Sequence, residues 1–96
     1  MSRPPKFKFR LYIAGITPNS AQALTNLTAI CNNYLPDSHE VEIVDVFTEP
    51  ARALKDKIVM TPMLVKCSPL PEVRIVGTLS QELIVVNTLD LAGFQA

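Results

Sequence analysis

Prolines constrain the fold of this chain more than any other feature of its sequence. Eight of its 96 residues are proline, which fixes φ and lacks a backbone N–H, so it suits element ends and disrupts helix and sheet interiors. Four of them stand between apolar segments: Pro18, Pro36, Pro50 and Pro62. The sequence therefore predicts a succession of short elements in one domain, residues 1–96. Residues 1–6 and 92–96 are expected to be flexible termini.

The first half of the chain predicts a strand, a long helix and a second strand. Residues 7–13 alternate apolar and basic side chains, as strands do. Thr17-Pro18 is a helix-opening pair, after which apolar residues recur at helical spacing from Leu24 to Leu35. Residues 40–47 alternate at first and then become almost continuously apolar and β-branched, which predicts the second strand.

The next segment predicts a short helix and two further strands. Thr48-Glu-Pro50 opens the helix. Residues 63–67 and 73–77 predict strands, and the loop between them contains two prolines that a central ladder excludes. The side chains expected on the apolar face of the helix are Ala51, Leu54, Ile58 and Val59.

The last segment carries conflicting signals. Ser80 is a favourable N-cap, and residues 80–91 have the length of a helix. Ile84-Val-Val86 and Thr88, however, are β-branched and favour strands. Two interpretations stay open: an ordinary buried helix, and a segment that forms either a helix or a strand.

The resulting order, β-α-β-α-β-β-α, is the arrangement of a thioredoxin-like α/β domain. In that arrangement a cis proline commonly opens the third strand, and Pro62 is the candidate. A thioredoxin-type enzyme also needs a low-pKa thiolate at the start of its first helix. Residues 15–20 contain no sulfur. Redox catalysis is therefore not expected.

The charge balance argues against nucleic acids and membranes as partners. Nine basic and nine acidic residues give a formal net charge of zero and a pI near 6.5. Non-specific binding to nucleic acids or anionic membranes relies on a bulk positive charge, which this chain lacks. Phe7 and Phe9 are expected to face the core, so the first strand offers no aromatic platform for RNA bases.

Targeting signals and cysteines together predict a cytoplasmic protein. The basic start lacks the apolar region of a signal peptide. No apolar run approaches the roughly 20 residues of a membrane span. Cys31 and Cys67 stand far apart without a Cys-x-x-Cys pattern, and we expect them to be reduced, buried thiols.

No residue pattern predicts a metal site, a cofactor or an enzyme active site. His39 is the single histidine, and we expect it in a solvated turn. Asp45 lies in an apolar strand, where a structural hydrogen bond is favoured over a catalytic role. Asp37, Glu40 and Glu42 are too dispersed for a metal site and are expected to form a solvated edge.

A series of short segments carries a pattern that extends from about residue 9 to residue 91. They are Leu11-Tyr-Ile-Ala-Gly15, Thr17-Pro-Asn-Ser20, Ala23-Leu24, Val44-Asp-Val46, Asp56-Lys-Ile58, Thr61-Pro62, Leu79-Ser80 and Leu89-Asp-Leu91. In this order and spacing they resemble the KaiB family of circadian clock proteins. The resemblance implies a non-enzymatic protein that binds the N-terminal ring of a KaiC-type ATPase. In clock members this complex captures KaiA and displaces the kinase SasA, whose sensor domain is itself KaiB-like.

The resemblance also implies two folds for one sequence. The resting form is expected to be a homotetramer, a dimer of dimers with its C-terminal half refolded as β-α-α-β, and this form is expected in a crystal. The partner-binding form is the thioredoxin-like monomer, and slow exchange between the two would act as a timing delay. We hypothesise that proline isomerisation slows the exchange. The residues of the switching region are Pro62, Pro69, Pro71, Thr88 and Asp90.

Family positions also indicate which residues bind partners. By resemblance, Lys57, Lys66 and Arg74 match basic residues associated with docking, and the second strand matches an edge used for partners. Gln22 and Glu42 stand where clock members tend to carry Arg or Lys. Each lost cation is expected to weaken docking by up to about 1 kcal/mol. The chain is therefore interpreted as a divergent paralogue.

Two other functions stay open at this point. One is a thioredoxin-like adaptor outside the core clock, which binds a histidine kinase or another signalling partner. The other is a redox or peroxidase-like enzyme, although the missing Cys-x-x-Cys pattern counts against it.

Overall fold

A computed structural model describes residues 6–91 and has the predicted thioredoxin-like order. The tetramer with a β-α-α-β C-terminal half is a different arrangement and stays a prediction. The termini that are expected to be flexible are residues 1–6 and 92–96. Apart from Lys6, they lie outside the described residues. The elements are β1 (Phe7–Ile13), α1 (Pro18–Tyr34), β2 (His39–Asp45), α2 (Pro50–Lys55), β3 (Met63–Ser68), β4 (Val73–Val76) and α3 (Glu82–Thr88).

The strands form one mixed sheet in the order β2-β1-β3-β4. β1 runs parallel to β2 and antiparallel to β3, and β3 runs antiparallel to β4. α1 connects β1 with β2, because a parallel pair needs a crossover connection. β2 and β4 are therefore the two edges of the sheet.

Apolar side chains cover both faces of the sheet. On the first, which we call the α1 face, Phe7 and Phe9 of β1 pack with Leu27 of α1 and with residues of α3. Phe7 and Phe9 are 4% and 2% exposed, so the prediction that they face the core is confirmed. On the second, the α2 face, Tyr12 lies in a smaller cluster against which Ile58, just after α2, packs.

α1 begins as predicted but buries a different residue in its first turns. The side-chain oxygen of Thr17 accepts a hydrogen bond from the backbone N–H of Ser20 at 3.2 Å, which confirms the predicted N-cap. Leu24 is 39% exposed, whereas its neighbour Ala23 is fully buried, so the expected stripe is wrong at this position. The helix ends at Tyr34, next to Leu35, the last residue of the predicted apolar stripe.

α2 is shorter than predicted. It ends at Lys55, and Lys57 has a φ of +58°, a left-handed conformation in which a helix cannot continue. Leu54 and Val59 are consequently 79% and 87% exposed. Of the predicted apolar stripe, Ile58 alone is partly buried. The rest of that prediction is wrong.

α3 shows that the last segment is helical in this structure. The predicted N-cap, Ser80, is wrong: the helix begins at Glu82, and Gln81 occupies the cap position without a side-chain hydrogen bond. Leu79 has a φ of +61°, which changes the direction of the chain just before the helix, and the helix begins only at Glu82. The helix ends at Thr88, short of the predicted length.

Within residues 6–91, three peptide bonds before proline are cis. The bond between Thr61 and Pro62 is one of them, which confirms the sequence prediction. Those before Pro69 and Pro71 are the others. The backbone N–H of Gly77 donates to the carbonyl of Pro62 at 3.0 Å, and this bond closes the end of the β3–β4 pair. A part for these prolines in fold switching stays a prediction.

The two cysteines are free thiols on opposite faces of the sheet. Cys31 of α1 is fully buried, and burial raises the pKa of its thiol to about 12. Cys67 at the end of β3 is half-buried rather than buried as expected. The thiol of Cys31 is therefore protonated and unreactive while the fold is intact.

Candidate partner-binding surface

The α2 face carries a network of polar side chains centred on Asp56, the residue that follows α2. The Asp56 carboxylate accepts hydrogen bonds from the Tyr12 hydroxyl and from Nη1 of Arg10, the latter at 3.0 Å. The Asp56 backbone carbonyl accepts from Nη1 of Arg74 at 2.7 Å. We call these four residues the Asp56 network, and it fixes the end of α2 to both β1 and β4.

Glu42 connects the opposite edge of the sheet to the same helix. Its carboxylate accepts from Nη1 and Nη2 of Arg52 at 2.7 and 2.8 Å, and from Nε of Arg10 at 3.0 Å. Arg10, Arg52, Lys55 and Asp56 line a cavity of about 160 Å³ beside these contacts. Both edges of the sheet are therefore joined to α2 by charged hydrogen bonds.

These contacts lower the pKa values of the carboxylates. Hydrogen bonds from Arg52 and then Arg10 lower the pKa of Glu42 to about 2. The pKa of Asp56 also lies below its ordinary value, mainly because the Tyr12 hydroxyl donates to its ionised form. Burial raises the pKa of Tyr12, so its hydroxyl remains a donor. At neutral pH both carboxylates are charged and both sets of contacts are intact.

Acid is expected to destabilise the protein in a defined window. The pKa of Glu42 is lower in the folded chain than in the unfolded chain, so ionised Glu42 stabilises the fold. This contribution to stability is complete above the ordinary pKa of 4.5 and is lost as the pH falls towards about 2. Urea unfolding of the wild type and of Glu42→Gln, from neutral pH downwards, measures this loss. The variant should show a flatter decline, and identical declines would contradict the prediction.

The structure brings two sequence-predicted docking residues together. Lys57 directly follows Asp56, and Arg74 donates to the carbonyl of Asp56, so both lie at the end of α2. Both are exposed, and among residues 6–91 no carboxylate oxygen lies within 4.0 Å of the Lys57 ammonium. Exposed apolar side chains share this part of the chain. We call the set the α2 rim: Leu54, Lys55, Lys57, Val59, Met60 and Arg74.

The other predicted docking residues lie apart from the α2 rim. Lys66 is 4% exposed, because strand alternation directs it to the α1 face, where its Nζ lies 5.8 Å from the centre of the Phe7 ring. In this structure Lys66 is therefore not accessible to a partner, and its part in docking stays a prediction. Gln22 is exposed on α1, on that same side of the sheet. Glu42 is on the α2 face but is already bonded to two arginines.

Thr88 and Asp90, two of the predicted switching residues, shape the end of α3. Oγ1 of Thr88 donates to the carbonyl of Ile84 at 2.7 Å. Asp90 has a φ of +58°, and its N–H donates to the carbonyl of Asn87 at 3.2 Å. Between them Leu89 is fully buried, so this turn anchors the end of the helix in the core.

Asp45 has the structural role that the sequence predicts. Its Oδ1 accepts from the backbone N–H groups of Gly15 and Phe47 at 3.2 and 2.8 Å, which links the loops after β1 and β2. β2 ends at Asp45, earlier than predicted, because the chain turns there. His39 is not in a solvated turn: it begins β2, and its Nδ1 is hydrogen-bonded to the carbonyl of Leu35.

The described part of the chain offers neither a membrane-spanning helix nor a metal-binding cluster. None of its helices is both long and apolar enough to cross a bilayer. Within residues 6–91, no three His, Cys, Asp or Glu side chains are grouped so that they could hold a metal ion.

Residues 10–91 match the family model of the KaiB domain. The chain belongs to the KaiB family. It is 44% identical over 82 residues to "Circadian clock protein KaiB3" of Synechocystis sp. strain PCC 6803, covering 85% of this chain and 80% of that protein. It is 41% identical over 91 residues to "Circadian clock oscillator protein KaiB" of Synechococcus elongatus strain PCC 7942, covering 95% and 89%. The expected divergent paralogue is consistent with the likeness to KaiB3.

Solved structures confirm the fold of this KaiB-family chain. The N-terminal domain of Synechococcus elongatus SasA aligns with a TM-score of 0.77 at 16% identity, over 99% of this chain and 90% of that one. Mitochondrial thioredoxin 3 of Saccharomyces cerevisiae aligns with a TM-score of 0.71 at 16% identity, over 91% and 80%. At such identities the likeness concerns the fold alone. The KaiB relatives are named as clock proteins and not as enzymes.

Sequence reasoning missed the residues that hold the α2 rim in place: Tyr12, Arg10, Arg52 and Asp56. Alternation along β1 correctly places Arg10 and Tyr12 on the opposite face from Phe7 and Phe9. The partners of these side chains, however, depend on the register that pairs Arg10 with Glu42 in the parallel strands. No local sequence signal encodes that register.

Proposed function

We propose that this KaiB-family chain is a non-enzymatic regulator that binds a KaiC-type ATPase through the α2 rim. The observation that supports the proposal is the proximity of Lys57 and Arg74, which both match basic docking positions of the family. Exposed Leu54, Val59 and Met60 accompany them. An apolar centre with cations at its edge complements a partner surface that is partly apolar and acidic.

The Asp56 network favours binding because it orders the rim before a partner arrives. Arg74 donates to the Asp56 carbonyl and, through Nε, to Glu72 at 3.0 Å, so its side chain is already held. A partner that meets an ordered side chain avoids part of the entropy cost of fixing it, which is about 0.5–1.5 kcal/mol for a long side chain.

Changing Lys57 is expected to weaken the complex with a KaiC-type hexamer and ATP. Lys57→Ala should raise the dissociation constant by up to about fivefold, the equivalent of one exposed ion pair. Lys57→Glu should raise it further and slow association, because a like charge then faces the acidic partner. Surface plasmon resonance at two salt concentrations measures both effects.

Lys8 offers the matched control, since it is an exposed lysine on β1 and outside the α2 rim. Lys8→Ala and Lys8→Glu should bind as the wild type does, apart from a small effect of net charge. Equal losses at Lys8 and Lys57 would contradict docking at the rim. Light scattering of the wild-type chain with the hexamer follows complex formation over a long incubation. The absence of any complex would overturn KaiC binding and leave the fold unaffected.

We also propose slow exchange of the thioredoxin-like form with a resting homotetramer. The C-terminal half carries features of a segment with competing conformations. α3 is rich in β-branched residues, and Leu79 and Asp90 beside it adopt left-handed φ values that are unfavourable for non-glycine residues. Light scattering of the chain alone tests this: a tetramer supports exchange, and a permanent monomer contradicts it.

A second candidate function is binding in a histidine-kinase pathway, outside a core clock. The fold shared with the SasA N-terminal domain favours it, because domains of one fold can present surfaces of similar shape. Adding the SasA domain to a preformed complex with the ATPase separates the two functions. Mutual displacement supports a shared site on the ATPase, whereas binding to a kinase without the ATPase supports the adaptor.

A further inference from the structure

β4 is an edge strand whose outward backbone groups can be assigned. The N–H of Gly77 donates to the carbonyl of Pro62, so these two form a hydrogen-bonded pair that continues the β3–β4 ladder. In an antiparallel ladder, hydrogen-bonded and non-hydrogen-bonded pairs alternate. The N–H and C=O groups of Arg74 and Val76 therefore point away from β3, and no other element among residues 6–91 bonds to them. An edge of this kind is a template for a strand of another chain.

A groove with apolar walls lies beside this edge on the α1 face. Its cavity of about 310 Å³ is bounded by β4 and the start of α3, and Ile75, Leu79 and Ile84 contribute to its walls. None of the residues that line it is charged. The side-chain amide of Asn26 on α1 donates to the carbonyl of Thr78 at 2.8 Å, which fixes the connection between β4 and α3. The groove is therefore preformed, and a volume near the lower limit of ligand pockets, about 300 Å³, suits one large apolar side chain.

The other face of the same edge is cationic. Arg74 is the single charged residue of β4 and lies on the α2 face, where Nε and Nη1 donate to Glu72 and to the Asp56 carbonyl. Its Nη2 has no acceptor within the described residues, and Lys57 at the end of α2 has no carboxylate partner there. A strand that complements this edge therefore carries an acidic side chain beside Arg74 and an apolar one beside Ile75.

We propose that β4 binds an extended segment of a partner protein by antiparallel strand addition, and that this segment contains an apolar residue followed by an acidic one. Antiparallel pairs are commoner than parallel pairs and slightly more stable. The apolar residue lies opposite Ile75, with its side chain in the groove. The acidic residue lies opposite Arg74, and a β-branched residue on the other side lies opposite Val76, which is 47% exposed. Arg74 and Val76 each exchange two backbone hydrogen bonds with the segment.

This interaction is independent of KaiC binding, because the edge and the groove belong to the isolated chain. It requires the thioredoxin-like form, in which β4 and α3 lie side by side. If the resting form has a refolded C-terminal half, the segment draws the chain towards the thioredoxin-like form, since it binds that form alone. Arg74 also belongs to the α2 rim, so a bound segment and a docked ATPase are expected to weaken each other.

N-methylated peptides test the pairing without any change to the protein. The probe is the amidated heptapeptide Ser-Thr-Val-Leu-Glu-Thr-Ser, labelled at its N-terminus, in which Val, Leu and Glu are placed opposite Val76, Ile75 and Arg74. Fluorescence anisotropy, with the chain titrated to equilibrium, measures the dissociation constant. Methylation of the Glu nitrogen removes a hydrogen bond to Arg74 and should raise this constant at least tenfold. Methylation of the Leu nitrogen, which points away from β4, should change it less than twofold.

Substitutions in the chain test the groove and the charge separately. Ile84→Gln should raise the dissociation constant several-fold, because Ile84 lines the groove. Leu83→Gln is the matched control at a neighbouring exposed position outside the groove, and it should have no effect. Arg74→Glu should weaken binding of the probe and strengthen binding of a peptide with Lys in place of Glu. Circular dichroism establishes that each variant is folded.

Several results would overturn the proposal. One is a wild-type chain that binds no probe even at millimolar concentrations. Equal losses from the two N-methylations, or from Ile84→Gln and Leu83→Gln, would exclude strand addition at this groove. A larger loss from methylated Leu than from methylated Glu would indicate parallel pairing and contradict the antiparallel register. None of these results bears on KaiC binding, because the ATPase is absent from the experiment.

Discussion

Replacing Leu27 by alanine is expected to lower the free energy of unfolding by about 2–5 kcal/mol. Leu27 is fully buried in α1 and packs in the main core cluster with Leu11 of β1 and Val85 of α3. Removing its branched side chain leaves a cavity between α1 and the sheet. A domain of this length has a total stability of about 5–14 kcal/mol, so the loss is a large share of it.

Urea unfolding followed by circular dichroism measures this change. Leu83→Ala is the matched control, since Leu83 lies on α3 and is 72% exposed. Its effect is expected to stay within about 0.5 kcal/mol. Comparable losses in the two variants would mean that the α1 face is not the principal core.

Replacing Asp56 by alanine is expected to cost about 1–3 kcal/mol. Tyr12 is fully buried, and Asp56 accepts the hydrogen bond of its hydroxyl. Without that acceptor the hydroxyl is left in the protein without a partner, which is more costly than losing a solvated hydrogen bond. Arg10 is affected less, because it retains its contact with Glu42.

A double-mutant cycle isolates this contribution. Tyr12→Phe removes the donor together with its need for a partner. Asp56→Ala should therefore cost less in the Tyr12→Phe background than in the wild type, by about 1 kcal/mol or more. Urea unfolding of the four proteins gives the coupling energy. Strictly additive costs would show that the hydrogen bond between Tyr12 and Asp56 does not stabilise the fold.

Local patterns account for most of the fold that the sequence predicted. β1 has the predicted bounds, 7–13, because side-chain alternation is a property of neighbouring residues. α1 begins at Pro18 because the cap and the proline signal act within one turn. The end of α2 was missed, since it depends on a left-handed Lys57, and lysine gives no sign of that conformation.

The candidate surface is harder to predict from the sequence, because the residues that contact one another there are far apart in the chain. Lys57 and Arg74 were identified by resemblance, but their meeting at Asp56 depends on how β4 and α2 lie across the sheet. The burial of Lys66 follows from the face that it occupies on β3. Alternation places Lys66 on the face of Leu64, whereas the resemblance concerns only the residue type at this position.

The placement of the cysteines on opposite faces supplies two native chemical reporters. Cys31 is sealed between α1 and the sheet, whereas Cys67 borders the α2 face. A maleimide reagent should modify Cys67 in the intact domain and reach Cys31 only after α1 separates from the strands. Mass spectrometry of timed labelling then distinguishes an opening confined to the α2 face from loss of the whole fold. Rearrangements of this chain can thus be followed at its own cysteines, without introducing any residue into its sequence.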